Sequence, residues 1–208
     1  MKQQPLFITF EGCESSGKTT HSRLLFNWLQ QNQINALLTR EPGGTSTAEQ
    51  IRTILLDNNT QLNVKSQLLL HFASRIEHVE NVIKPALANN KIVICDRFFD
   101  STIAYQHYGH GLDLSFIKKM HKELLDNITP NLTFILNVNF VQYKKRMAKK
   151  HTKNDRYETL SDDYHKKVIS GFKKIAAKNP DRCISIDSSD SQTDTHNLIA
   201  SEFAKIAL

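Results

Sequence analysis

Residues 12–19 read Gly-Cys-Glu-Ser-Ser-Gly-Lys-Thr, a match to G-x-x-x-x-G-K-[ST], set between a strand-like run, Leu6 to Phe10, and helical periodicity beginning at Thr19. This is a phosphate-binding P-loop, and it needs a strand before it and a helix after it. Gly12 and Gly17 let the backbone turn its N–H groups toward phosphate oxygens, and the helix adds the positive end of its dipole. Lys18 is placed to reach the β- and γ-phosphates, and Thr19 to ligate Mg2+. With Cys13, Glu14, Ser15, Ser16 and Thr20 these residues form the candidate cradle for ATP. Cys13 in such a loop suggests sensitivity to oxidation.

The rest of the chain fits a parallel α/β sheet covered on both faces. Strands are expected at Leu6 to Phe10, Ala36 to Thr39, Lys91 to Asp96, Leu132 to Val138 and Cys183 to Asp187. Between them, Thr19 to Gln31, Thr47 to Leu56, Ser66 to Asn89, Ser115 to Asp126, Asp162 to Lys178 and Thr193 to Ala207 have helical period and length. No Gly/Ser/Pro-rich linker divides the chain, so residues 1–208 are expected to form one domain. The apolar runs are far shorter than the ~18 residues a membrane-spanning helix needs. The first residues do not resemble a secretory signal, and three cysteines without a CxxC spacing disfavour disulfides or zinc. A reducing cytoplasm is the expected compartment.

The third strand ends in Asp96, which in such a sheet lies beside the P-loop and can hold Mg2+ through water. Motor ATPases usually follow that aspartate with an acid that activates water, whereas here Arg97 follows. No aspartate has a glycine three residues later, which disfavours a GTP switch. The formal charge of +6 has a local source. From Tyr143 to Arg156 the chain carries Lys144, Lys145, Arg146, Lys149, Lys150, Lys153 and Arg156; as one helix this would align Arg146, Lys149, Lys150 and Lys153 on a single face.

Taken in order, the P-loop, Thr39-Arg40-Glu41-Pro42-Gly43-Gly44-Thr45, Phe72-Ala73-Ser74-Arg75, Asp96-Arg97, Ser101-Thr102-Ile103-Ala104-Tyr105-Gln106 and Asp155-Arg156 closely resemble the bacterial thymidylate kinase family. The resemblance implies a five-stranded sheet ordered 2-3-1-4-5, a homodimer, and transfer of the ATP γ-phosphoryl to dTMP. It also implies roles. Arg40 and Arg97 are similar to the acceptor-phosphate clamp, with Pro42 in the same loop. Arg75 resembles the arginine that meets thymine O4; His71 or Phe72 stacks on the base; Thr102 and Gln106 meet its edge. Tyr105 lies under the deoxyribose, and Glu14 accepts from the 3′-hydroxyl. The P-loop has no arginine, so a basic lid, about residues 143–160, is expected to bring Arg146, Lys149, Lys150, Lys153 and Arg156 to the transferring phosphoryl. The family commonly has Phe where this chain has His71.

Two other readings stay open at this level. A deoxynucleoside kinase would need a carboxylate base after the second strand, and Glu41 stands there. A nucleic-acid-bound ATPase would use the lid lysines against a phosphate backbone, although Arg97 after Asp96 argues against it and no nucleic-acid partner is expected.

Overall fold

The structure, a computed structural model, describes residues 4–149, 155–189 and 191–207. Five strands, β1 (Leu6–Glu11), β2 (Ala36–Arg40), β3 (Ile92–Asp96), β4 (Leu132–Asn137) and β5 (Cys183–Asp187), form one parallel sheet in the order β2-β3-β1-β4-β5. The expected order is therefore the observed one.

Side chains alternate across the sheet with the period of two that a strand imposes. Ile8, Phe10, Ile92, Ile94, Phe134 and Leu136 point to one face, where α1 (Lys18–Gln31) and α9 (Gln192–Ala207) cover them with Leu25, Leu29, Ile199 and Phe203. Phe7, Val93 and Cys95 point to the other face, under Phe72 and Val79. Strands buried on both sides are nearly continuous in apolar residues for this reason. Each buried Phe, Leu or Ile contributes roughly 1.5–3 kcal/mol.

The opposite layer holds α2 (Ser46–Leu56), α3 (Val64–His78), α6 (Leu114–Leu125) and α8 (Asp162–Lys178). A π-helical turn, Val79–Ile83, joins α3 to a short α4 (Lys84–Ala88), so the expected long helix is continuous but bulged. The four-residue α5 (Phe99–Thr102) runs into a π-helical stretch, Ile103–Gly109, an element that periodicity did not reveal. Among the described residues no helix is long and apolar enough to cross a membrane.

The basic segment differs from expectation. Helix α7 (Phe140–Ala148) begins at Asn139, whose side chain accepts from the Gln142 amide at 2.9 Å, and it ends before Lys149. Asp155 to Leu160 form turns rather than helix. Of the expected helical face, α7 carries Arg146 while Lys149 falls at its C-cap; Lys150 and Lys153 lie outside the described residues.

Candidate active site

The C-terminal ends of β1, β2 and β3 open onto a cavity of about 530 Å3. Its floor is the P-loop. Gly12 has φ 142°, and a Cβ there would sit 2.5 Å from the Leu136 carbonyl oxygen, so only glycine fits. Gly17 adopts the left-handed conformation as N-cap of α1, offering no side-chain cap, and the first turn holds no acid. The amides at that helix start are thus left for an anion. Lys18 folds back over the loop and donates to the Cys13 carbonyl at 2.5 Å. Burial, then the charge of Arg97, pulls its ammonium down to about 8.

Cys13 is packed with Val138, Tyr143 and Ile169. Burial and the adjacent Glu14 charge push its thiol up to about 12. The nucleophilic form is the thiolate, so packing counters the expected oxidation sensitivity. Ser16 is likewise buried, and Thr20 is exposed. Thr19 Oγ1 donates to Asp96 Oδ2 in a short contact, which sets a hydroxyl and a carboxylate oxygen side by side on the cavity wall. Hard oxygen donors of this kind fit Mg2+.

Arg97 is the junction between the loop and the acceptor side. Its backbone lies at φ 72°, with its N–H bonded to the Phe10 carbonyl at 3.0 Å. Its Nη1 donates to the Gly12 carbonyl and to Ser101 Oγ, each at 3.0 Å; Nη2 stands 3.4 Å from Glu14 Oε1. Burial alone would push the Glu14 carboxyl up, but Arg97, Lys18 and the Tyr105 hydroxyl outweigh it and hold the group below the ordinary range.

Behind Arg97 is a buried ion network. Glu41 Oε2 accepts from Arg75 Nε at 2.6 Å, and Glu41 Oε1 pairs with His78 Nδ1 at 3.0 Å. Arg75 also donates to the Phe98 carbonyl at 3.1 Å. Its remaining Nη1, like Nε2 of Gln106, is buried and meets no acceptor among the described residues, although both side chains line the cavity. Thr102 and Tyr105 complete this wall. At the mouth, Arg40 is half-exposed and held by Glu49 at 2.9 Å, beside Pro42.

His71 and Phe72 separate clearly. His71 is one helical turn before Arg75, shares its face and lines the cavity. Phe72 is rotated about 100° away, 1% exposed, and packed in the core with Leu68 and Val79, so it does not face the cavity. Of the lid cations, Arg146 donates to the carbonyls of Ser15, at 3.1 Å, and Ser188, while Arg156 donates to those of Asp57, at 2.7 Å, and Thr60. Neither lines the cavity. Lys149, just past the end of α7, is exposed.

Sequence reasoning did not name Arg52 or Tyr157, which do line it. Arg52 donates to the Pro42 carbonyl at 2.8 Å. A lone arginine in a helix after the Arg-Glu-Pro loop gives little signal, whereas Tyr157 could have been suspected from its place beside Asp155-Arg156.

The model of the family described as thymidylate kinase matches residues 10–199. A thymidylate kinase of Wolbachia pipientis wMel is 48% identical over 92% of this chain and 95% of its own length. One from Geotalea uraniireducens is 41% identical over 97% and 98%. A crystal structure of thymidylate kinase from Ehrlichia chaffeensis superposes with a TM-score of 0.77 at 40% identity, covering 96% of this chain and 99% of that one. With the strand order, the P-loop and the arginine-lined cavity in agreement, the chain belongs to the thymidylate kinase family.

Proposed function

We propose that this cleft transfers the γ-phosphoryl group of ATP to the phosphate of dTMP, giving dTDP and ADP on the route to dTTP. The observation that carries the acceptor assignment is the state of Glu41. Both of its oxygens are engaged, by Arg75 and His78, inside a network where Arg75 is 2% exposed. A sugar hydroxyl would need a carboxylate base; an acceptor phosphate is already ionised and needs none. Glu41 therefore supports a nucleotide acceptor over a nucleoside.

Catalysis by such a site is positioning and charge neutralisation. Lys18 and the amides of the P-loop bind the ATP phosphates. Arg97 and Arg40, aided by Arg52, hold the acceptor phosphate, for which the planar guanidinium fork is suited. The unpartnered donors of Arg75 and Gln106 find their acceptors in the exocyclic carbonyls of the thymine ring. Glu14, with Oε2 free of hydrogen bonds among the described residues, takes the 3′-hydroxyl, and Tyr105 supports the deoxyribose. Arg146, Lys149, Lys150, Lys153 and Arg156 supply the remaining lid charge. Thr19 and Asp96 would hold Mg2+, which when bound neutralises the phosphates and orients the transferring group.

Exposed apolar side chains on α2, α3 and α6, Ile54, Leu69 and Phe116, support assembly as a homodimer, and the family chemistry belongs to the cytoplasm. A coupled ADP-release assay with thymidine, dTMP, dUMP, UMP and AMP tests the reading. Turnover is expected on dTMP and absent on thymidine; the reverse would overturn it.

A further inference from the structure

Tyr157 lies in the turn after the basic segment, far in sequence from α3, yet its hydroxyl meets His71 Nε2 at 2.8 Å and Gln67 Oε1 at 3.3 Å. The two rings are tilted at 46° with centroids 5.9 Å apart. Both His71 and Tyr157 line the acceptor cavity, and Tyr157 is 6% exposed.

The donors along this chain can be ordered from one fixed end. The Leu62 carbonyl only accepts, and Gln67 faces it at 3.1 Å, so the Gln67 atom there is its amide nitrogen. Gln67 Oε1 then faces Tyr157 and needs a donor. Tyr157 has one hydroxyl proton. Given to Gln67, it leaves the phenolic oxygen to accept from His71 Nε2–H, and every buried group is satisfied. Given to His71, it strands the Gln67 oxygen as a buried acceptor without a donor.

We propose that Gln67, Tyr157 and His71 form a directional hydrogen-bond relay that fixes the ring angle and tautomer of His71. Tyr157 thereby acts as a positioning residue for recognition of the acceptor base. The relay sets His71 as the Nε2–H tautomer with Nδ1 as a bare acceptor on the cavity side of α3. It does for histidine what shape alone does for a phenyl ring, which has no proton to place. Charge around the ring agrees: burial, then Arg75, pulls the His71 imidazole down to about 3, so it is neutral at ordinary pH. The same turn is tied to the other wall, with the Arg156 amide bonded to the Leu56 carbonyl at 3.2 Å. Tyr157 thus joins α3 to a segment that α2 already holds.

This inference rests on the dTMP reading for its kinetic arm, and a second arm is independent of it. In ligand-free protein, long-range 1H–15N correlation of the histidine rings should show His71 with a protonated Nε2 and an unprotonated Nδ1. The Nδ1–H tautomer would overturn the relay whatever the substrate. In kinetics, Tyr157→Phe should raise the dTMP KM roughly three- to tenfold with kcat changed less than about twofold, the effect of losing the hydrogen bond that orients His71. His71→Phe removes the need for the relay, so adding Tyr157→Phe to it should change KM by less than about twofold. The double variant separates positioning from folding, because a merely structural tyrosine would cost the same in both backgrounds. Equal effects, or no effect of Tyr157→Phe alone, refute the proposal. Absence of any dTMP turnover in the parent protein would instead refute the functional reading and leave the tautomer measurement standing.

Discussion

Replacing Glu41 by Gln separates its roles as a network carboxylate and as a base. The side chain keeps its shape, and its geometry can be kept as well. The Gln carbonyl can accept from Arg75 Nε, and its amide can donate to His78 Nδ1, while His78 Nε2 turns its proton to Thr39 Oγ1, now 2.7 Å away. What is lost is the charge opposite a guanidinium that is 2% exposed. Removing one partner of a buried pair costs about 3–5 kcal/mol, and the retained hydrogen bonds place this variant near the low end, ~3 kcal/mol. At 2–4 °C per kcal/mol for a chain of this size, Tm should fall by roughly 6–12 °C. The pH dependence has a fixed sign. Burial pushes the Glu41 carboxyl up, yet the Arg75 charge and the His78 contacts outweigh it and hold it below the ordinary range. Its stabilisation is therefore present above the unfolded carboxylate value, about 4.3, and is lost as pH falls below it. Urea unfolding of both proteins at pH 7 and near pH 3.5 reads this directly, with the gap between them expected to shrink in acid. In steady-state assays E41Q should raise the dTMP KM through a less firmly held Arg75. A stability loss under about 1 kcal/mol would show that solvent already compensates Arg75. Complete loss of kcat with intact dTMP binding would restore Glu41 as the base.

Arg97→Ala should raise the dTMP KM by at least tenfold and lower kcat, with the ATP KM within about threefold, because the guanidinium faces the acceptor side; equal losses for both substrates would place it on the wrong one. Gly12→Ala should abolish ATP binding and destabilise the fold by more than about 2 kcal/mol, since its Cβ would sit 2.5 Å from the Leu136 oxygen; fluorescence titration with an ATP analogue and thermal melting check it. Cys13 should resist peroxide and thiol-labelling reagents in the folded protein, with Cys13→Ser as active as the parent; rapid labelling at pH 8 coupled to inactivation would contradict its burial. Glu49→Gln should change stability by less than about 0.5 kcal/mol, as expected for the exposed pair with Arg40, while altering the dTMP KM.

The sheet was legible because both of its signals are local. Short, nearly continuous β-branched or apolar runs set the strands, and the P-loop fixes which strand is central. The π-helical stretch after α5 was not, because Tyr105, Gln106, His107 and Tyr108 carry no apolar period; their helix is held by packing against α8, with Tyr164 donating to the Tyr105 carbonyl at 3.3 Å. The site shows the same division. Arg75, Arg97 and Asp96 stand in motifs whose spacing reports their place. Phe72 fell on the wrong side because a one-residue shift on a helix turns a side chain by about 100°, and the sequence offered two adjacent rings. Tyr157 was missed because its partner, His71, is 86 residues away.

Three cations of this cleft are held by backbone carbonyls, which bears on how phosphate enters. Lys18 is held by the Cys13 carbonyl, Arg97 by Gly12 and Arg52 by Pro42; outside the cavity, Arg146 is held in the same way by Ser15 and Ser188. A carbonyl fixes a cation's direction with a partial charge and leaves its full positive charge uncompensated. A carboxylate would fix it equally well but cancel the field that an incoming phosphate must feel, and its own desolvation would have to be reversed on exchange. Carboxylates do pair with three cavity arginines, closely with Arg75 and Arg40 and at 3.4 Å with Arg97 through Glu14. Arg75 serves a neutral base, where a net charge is not wanted. Arg40 pairs with Glu49 at the exposed mouth, where solvent makes the pair weak and easily exchanged. The closest buried carboxylate, Glu41, thus stands behind the arginine assigned to the base, while the arginines assigned to phosphate are held by carbonyls and by carboxylates that are farther away or exposed.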